Sequence, residues 1–387
     1  MNTTGLARAG EIARARTSRA LALKAAGRKI VGYLSLHVPL ELVEALGMVP
    51  FRLSGDIREP VTQADRGLPA AFCPYMRSVL DLSLKGRFGF LDGFAQAHPC
   101  DAQEKTVRVI SSLVPFRFAH FVDVPATVHG YAVEYFAGQL RDFRRELERF
   151  AGRAAAEDEL YAAIDAYNEQ RALVRELYDL KKTDPPALSG RETLDLILAV
   201  RSLPAVEGNA LLRESILEVR ARPAGSGGRR PRLLVWGSVV DDWAYLDLIE
   251  ACGADVVIDD LDEGTRPFQR DVNPDGDPMQ ALAVRYLAGV PTARTFLDHG
   301  QGERKKDNLT DLDARYRHLR RYIEEWRVDG VLLQSVRYCD PHGYELVDVM
   351  DYLRHLGVPA VYVEHNYSEG ALAPLRTRVE AFVETLG

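Results

Sequence analysis

Cysteine is scarce in this chain: four in 387 residues, spread over its whole length. That excludes a disulfide scaffold, which packs cysteines densely into a short chain. No apolar run approaches the roughly 18–20 residues a membrane-crossing helix needs. The segment Met1–Arg28 lacks the apolar core of a secretory signal and is Ala/Arg-rich with the spacing of an amphipathic helix. Acidic residues are sparse ahead of Glu41, as in a transit peptide, yet Glu11 and the helical spacing favour an ordinary first helix. No G-x-x-x-x-G-K-[ST] occurs, so any ATP belongs to another polypeptide. Gly225-Ser226-Gly227-Gly228 precedes a strand instead of following one, which makes it a linker and not a dinucleotide loop. Positive charge is not in excess: the net charge of −7 argues against nucleic acid as the main partner. What remains is a chain with 47% hydrophobic residues, expected to be cytoplasmic, and long enough for two or three domains.

Strand patterns fall at Lys29–Leu36, Val49–Leu53, Asp92–His98 and Phe118–Val124, with a short helix after Pro39 that stops at Gly47. From Tyr131 to about Arg222 the period turns helical, over Phe136–Phe150, Asp158–Tyr178 and Gly190–Val219. A second run of strands follows at Arg232–Trp236, Asp255–Leu261, Gly330–Ser335 and Ala360–Glu364, with helices between. Strands alternating with helices predict parallel sheets. The expected fold is α/β, with two doubly wound parallel-sheet domains, an N-terminal helix and a helical connecting segment. The divisions are 1–28, 29–130, 131–222 and 223–387. No repeat is visible between the two α/β units.

Three of the cysteines share a setting. Cys73, Cys100 and Cys339 sit in polar loops beside Pro74, Pro99 and Pro341, and Asp101 and Asp340 follow two of them. Free cysteine is usually core, but an acid beside it suits a core poorly. Three thiolates meeting at strand ends point to a metal or iron–sulfur centre with an open position. The spacing matches no local metal motif, so the core reading stays open. Cys252, at a helix end before Gly253, reads as structural. His98 and His342, two before Cys100 and three after Cys339, are candidate proton donors, with a solvated loop histidine as the alternative. Ser335 and Gln334 flank the third cysteine loop, and His37 precedes a helix start. The turn Trp236-Gly237-Ser238 reads as an ordinary βα turn, and Glu303-Arg304-Lys305-Lys306 as a solvated turn.

Several stretches together resemble one family. These are Gly32-Tyr33 through Val38-Pro39-Leu40-Glu41-Leu42, then Ala45-Leu46-Gly47-Met48-Val49-Pro50-Phe51-Arg52-Leu53, Cys73-Pro74-Tyr75, Cys100-Asp101, Tyr338-Cys339-Asp340-Pro341, and the tail Leu375–Glu384. The chain is similar to the 2-hydroxyacyl-CoA dehydratase D-component and benzoyl-CoA reductase family over most of its length. The resemblance implies two flavodoxin-like domains and one [4Fe-4S] cluster held by Cys73, Cys100 and Cys339, with Cys252 uninvolved. It implies a paralogous cluster-bearing partner subunit and ATP-hydrolysing iron–sulfur activator subunits that bind the Mg-ATP, with ferredoxin as electron donor. The substrate would be an acyl-CoA or aroyl-CoA thioester.

Within the family the length and the loop Arg337–Gly343 lean toward the smaller cluster-bearing subunit of the ATP-dependent benzoyl-CoA reductases, hence toward ring reduction to a cyclohexadiene-carbonyl-CoA. The second expectation is dehydration of a 2-hydroxyacyl-CoA through a ketyl radical. Two readings of other classes stand beside these: a non-catalytic cluster-bearing partner subunit, and a flavodoxin-like nucleotide or flavin binder.

Overall fold

The computed structural model describes residues 4–223, 228–292 and 308–387. Most of the linker Gly225–Gly228 and the whole charge run Glu303–Lys306 lie outside the described residues. Two four-stranded sheets organise the chain. The first contains β1 (Ile30–Tyr33), β2 (Val49–Arg52), β3 (Gly93–Ala97) and β4 (Ala119–Val122), in the order β2-β1-β3-β4. The second contains β5 (Arg232–Gly237), β6 (Asp255–Asp260), β7 (Gly330–Val336) and β8 (Ala360–His365), in the order β6-β5-β7-β8. Every neighbouring pair is parallel. Both sheets therefore run 2-1-3-4 and form the expected pair of flavodoxin-like units, sharing a topology where the sequence carries no visible repeat.

Side chains in β5 alternate between two cores. Leu233 and Val235 face a hydrophobic cluster that joins both sheets, with Leu34, Leu53, Tyr75, Met76 and Phe94 from the first unit. Leu234 and Trp236 face an outer cluster with Leu333, Tyr316, Leu319 and Tyr352. Alternate strand residues point to opposite faces, so a strand buried on both sides reads as one apolar run. The outer face of the first sheet is covered by the helix Gly130–Ala151, whose Phe136, Leu140, Phe143 and Leu147 recur at three-to-four spacing.

Three elements differ from the sequence expectation. The first helix is two, Gly5–Arg14 and Arg16–Ala25. The helical pattern Gly190–Val219 breaks into Gly190–Val200 and Ala205–Arg220, because Pro204 cannot continue the first and instead precedes the second. The cysteines expected in irregular loops each stand at the N-cap of a helix: Cys73 before Pro74–Leu84, Cys100 before Asp101–Leu113 and Cys339 before Asp340–His355. The prolines after Cys73 and near Cys339 occupy the first helical turn, where a missing N–H costs nothing. No helix among the described residues is long and apolar enough to cross a membrane.

Candidate functional site

In an open parallel sheet, ligands collect beyond the strand carboxyl ends, where the strand order reverses. That point lies between β1 and β3 in one sheet and between β5 and β7 in the other. One pocket of about 80 Å³ is lined from all four places: Leu36 and His37 after β1, Pro99 and Cys100 after β3, Ser238 and Val239 after β5, and Cys339, Pro341 and His342 after β7. Cys73, Tyr75, Met76 and Gln103 complete the first-unit side, and Asp262, Arg266, Thr292 and Val336 the second. The volume is several times the ~15 Å³ a single water requires.

The turn at Gly237 makes the junction possible. Its φ of 145° suits glycine alone, and a Cβ there would come within 1.8 Å of the Gln334 carbonyl oxygen. This turn, ordinary in the sequence reading, lets the Val336 N–H donate to Ser238 Oγ at 3.0 Å and locks the β5 and β7 exits together.

Each sulfur sits at a helix N-terminus, where free N–H groups and the helix dipole favour negative charge. The Gln103 N–H donates to Cys100 Sγ at 3.4 Å. The Tyr75 and Met76 N–H groups draw the Cys73 thiol pKa down, although neither closes a capping hydrogen bond. Burial dominates, and pushes Cys73 up to about 11 and Cys100 up to about 12. Cys339 is raised by burial first and then by its neighbours Cys73 and Cys100. A thiol held up in this way is no nucleophile at neutral pH, since catalytic cysteines need a depressed pKa. All three are free of disulfides. Among the described residues, the only group of three or more potential ligands whose donor atoms all lie within 4.8 Å of one another is His98, Asp101 and Glu104. The three sulfurs are therefore too spread for one ion, since two thiolates at about 2.3 Å from a metal stand at most about 4.6 Å apart. One buried and two half-buried thiols that line one cavity, yet stand too wide for a single ion, suit a polynuclear iron–sulfur group with one thiolate per iron.

His342 is fixed on both ring nitrogens. Arg266 Nη1 lies 3.0 Å from Nε2, and Cys339 Sγ lies 3.4 Å from Nδ1. A guanidinium only donates, so Nε2 accepts and the ring proton is on Nδ1, directed at the sulfur. Burial and then the Arg266 charge push His342 down to about 4, which keeps it neutral. Arg266 is buried and paired with Asp260 and with Asp262, at 3.1 Å in each case, and donates to the Gly237 carbonyl at 2.9 Å. Burial opposes the charge on Asp260, but Arg266 and His318 outweigh it and hold the carboxyl below its ordinary range.

The structure thus brings Cys73, Cys100, Cys339 and His342 to one cavity and leaves other sequence candidates outside its lining. His98 stands by Asp101 at 3.3 Å and Asp123 at 3.4 Å, with Glu104 at 3.8 Å. Gln334 Oε1 accepts from His365 Nε2 at 3.0 Å, and Ser335 Oγ donates to the Val336 carbonyl. Cys252 caps the helix Trp243–Ala251 ahead of Gly253, which has φ of 94°. Sequence reasoning missed Arg266, Asp262 and the cavity-lining place of His37. His37 carried the one available signal, its position just past β1.

Comparison with known proteins gives the family. Residues 35–386 match the family model described as 2-hydroxyglutaryl-CoA dehydratase, D-component. A benzoyl-CoA reductase subunit of Thauera aromatica is 26% identical over 93% of this chain and 91% of its own length. The (R)-2-hydroxyglutaryl-CoA dehydratase beta subunit of Acidaminococcus fermentans is 24% identical, with 94% of each chain covered. The (R)-phenyllactyl-CoA dehydratase beta subunit of Clostridium sporogenes is 23% identical over 93% of this chain and 92% of its own. A match that runs from just past β1 to beyond the last helix takes in three strands of the first sheet and all four of the second, and the chain belongs to the 2-hydroxyglutaryl-CoA dehydratase D-component family.

Proposed function

We propose that this chain is a cluster-bearing subunit of an ATP-dependent benzoyl-CoA reductase, with Cys73, Cys100 and Cys339 as ligands of one [4Fe-4S] cluster. The observation that carries the reading is the meeting of three helix-capping thiols at the facing switch points of two sheets. When bound, such a cluster supplies low-potential electrons and one iron without a protein thiolate. The chain's own residues do the rest. Loading the site displaces three protons from thiols that burial otherwise keeps neutral. Leu36, Tyr75, Met76, Val239 and Val336 give the cavity an apolar wall, which limits water around the thiols. His342 is a positioning residue: it holds an N–H on Cys339 and passes no proton through Nε2, which Arg266 occupies.

A second reading, dehydration of a 2-hydroxyacyl-CoA, is favoured by the family description and by the dehydratase subunits at similar identity. The partners in either case are a paralogous subunit and an ATP-hydrolysing iron–sulfur activator fed by ferredoxin. The deciding experiment is anaerobic turnover by the purified complex with MgATP and a strong reductant. Benzoyl-CoA is expected to be consumed and a panel of 2-hydroxyacyl-CoA esters left intact. Dehydration of a panel member with benzoyl-CoA untouched moves the assignment to the second reading, and a chain that takes up no iron on reconstitution removes both.

A further inference from the structure

A second cavity takes Ser35, Leu36 and Val38 from the segment that gives Leu36 and His37 to the thiol pocket, and Leu36 lines both. It holds about 40 Å³, the scale of a few waters or one small oxyanion and far short of a nucleotide. Its lining is cationic: Arg171, Arg201 and Arg285 contribute to the wall, and no carboxylate does. All three arginines are buried. Arg171 is paired with Glu41, which stands behind the wall and also accepts from Tyr286 Oη at 2.7 Å. Arg201 and Arg285 are different. Among the described residues, neither has a carboxylate within ion-pair distance. Arg201 donates to the Asp262 carbonyl at 2.8 Å, and Arg285 to the Arg270 carbonyl at 3.2 Å and to the Pro267 carbonyl. In the same wall Gln170 is 3% exposed, and its Nε2 has no hydrogen-bond partner among the described residues.

A buried guanidinium without a counter-charge is costly, and so is an amide N–H without an acceptor. Both costs fall if the same acceptor-rich anion fills the cavity. Guanidinium groups match the oxygens of phosphate and carboxylate two at a time, and an amide donor adds a third direction. We infer that this cavity is a binding site for a small oxyanion, a phosphate or carboxylate group, held by Arg201, Arg285 and Gln170. Burial, and then the charge of Arg171, already push Arg285 down to about 10, in keeping with a cation that lacks its partner. The site does not depend on the thiol pocket or on any cluster.

The oxyanion has two sources, a phosphate and the carboxylate end of an organic acid. Calorimetric titration of the full chain, at constant ionic strength against chloride, distinguishes them with inorganic phosphate and succinate as the two probes. One saturable site is expected for one of the probes. Arg285→Met is expected to weaken it at least tenfold. Gln170→Glu, nearly isosteric, sets a negative charge against the anion and is expected to weaken it as much. Thermal unfolding with and without the probe reads the same loss independently. No saturable binding of either probe to the wild-type chain overturns the inference. So does binding that persists unchanged in both variants. If Arg285→Met does not fold, Gln170→Glu decides alone.

Discussion

The two sheets share one strand order, yet they equip their exits differently. After the third strand of each, a cysteine follows three residues on and caps the next helix: Cys100 after Ala97 in the first unit, Cys339 after Val336 in the second. These two thiols are topological equivalents. After the second strand the units part. The first sends out a long loop that ends on Cys73. The second leaves β6 through Asp260, Asp262 and Arg266, an ion-pair network in place of a sulfur. An odd number of thiols thus arises from two units of one strand order, because one carries polar groups where the other carries a sulfur. The centre between them is asymmetric, with two thiols from one side and one from the other.

The strongest way to break this comparison is to remove the sulfurs. Cys100→Ser and Cys339→Ser, as equivalents, should behave alike after anaerobic reconstitution, and Cys73→Ser like both. Each should fall from about four irons per chain to well under one, with loss of the broad visible absorption. Cys252→Ser should keep its iron. Should Cys73→Ser retain a full complement, the loop after β2 supplies no ligand, and the units are more alike than described.

Arg266→Met tests the other half of the contrast. It takes the shared cation away from the buried Asp260 and the half-buried Asp262 and frees His342 Nε2. Losing one partner of a buried ion network costs about 3–5 kcal/mol, which urea unfolding of the metal-free chain measures. A loss under about 1 kcal/mol would mean that water, not Arg266, balances those acids.

A third contrast is acid–base in character. Asp241, after β5, is buried, and burial and the charge of Glu263 push its carboxyl up to about 7. Its folded form therefore holds a proton that the unfolded chain releases near pH 4. Stability from this group is present at low pH and is lost as pH rises from about 4 to 7. Asp241→Asn should flatten that decline, by on the order of 2 kcal/mol at pH 7.5 relative to pH 4.5. Parallel curves for the two proteins would show that Tyr367, which donates to Asp241 at 2.8 Å, stabilises the anion fully.

Much of this was legible in the sequence, for reasons that differ by residue. β5 reads as a strand because Leu233 to Trp236 are apolar on both faces. Gly47 and Gly253 end helices because each adopts positive φ. The thiol trio was legible through the polar and proline neighbours that distinguish it from Cys252. The capping role was not, because Pro74 and Pro341 signal a loop and a first helical turn equally well. Arg266 was invisible: its partners lie four to seventy-six residues away, and no local pattern marks a cation that will be enclosed. The arginine cavity was invisible for the same reason, since it draws on Tyr33, Arg171, Arg201 and Arg285 from four separate elements.

The smallest effect sharpens the comparison most. Cys73 and Cys100 each have two backbone N–H groups close by, from Tyr75 and Met76 and from Ala102 and Gln103. Cys339 has only that of His342, because the residue between is Pro341 and carries no N–H. The His342 ring supplies the second donor at 3.4 Å. Donors to cluster sulfurs stabilise the reduced, more negative state. His342→Phe, in the anaerobically loaded chain, should therefore lower the cluster's reduction potential by roughly tens of millivolts while iron content stays near four. His342→Gln, which keeps an N–H at similar reach, should recover most of the shift. A potential unmoved in His342→Phe would mean that the ring fills space only, and that the two equivalent cysteines differ in donors without differing in chemistry.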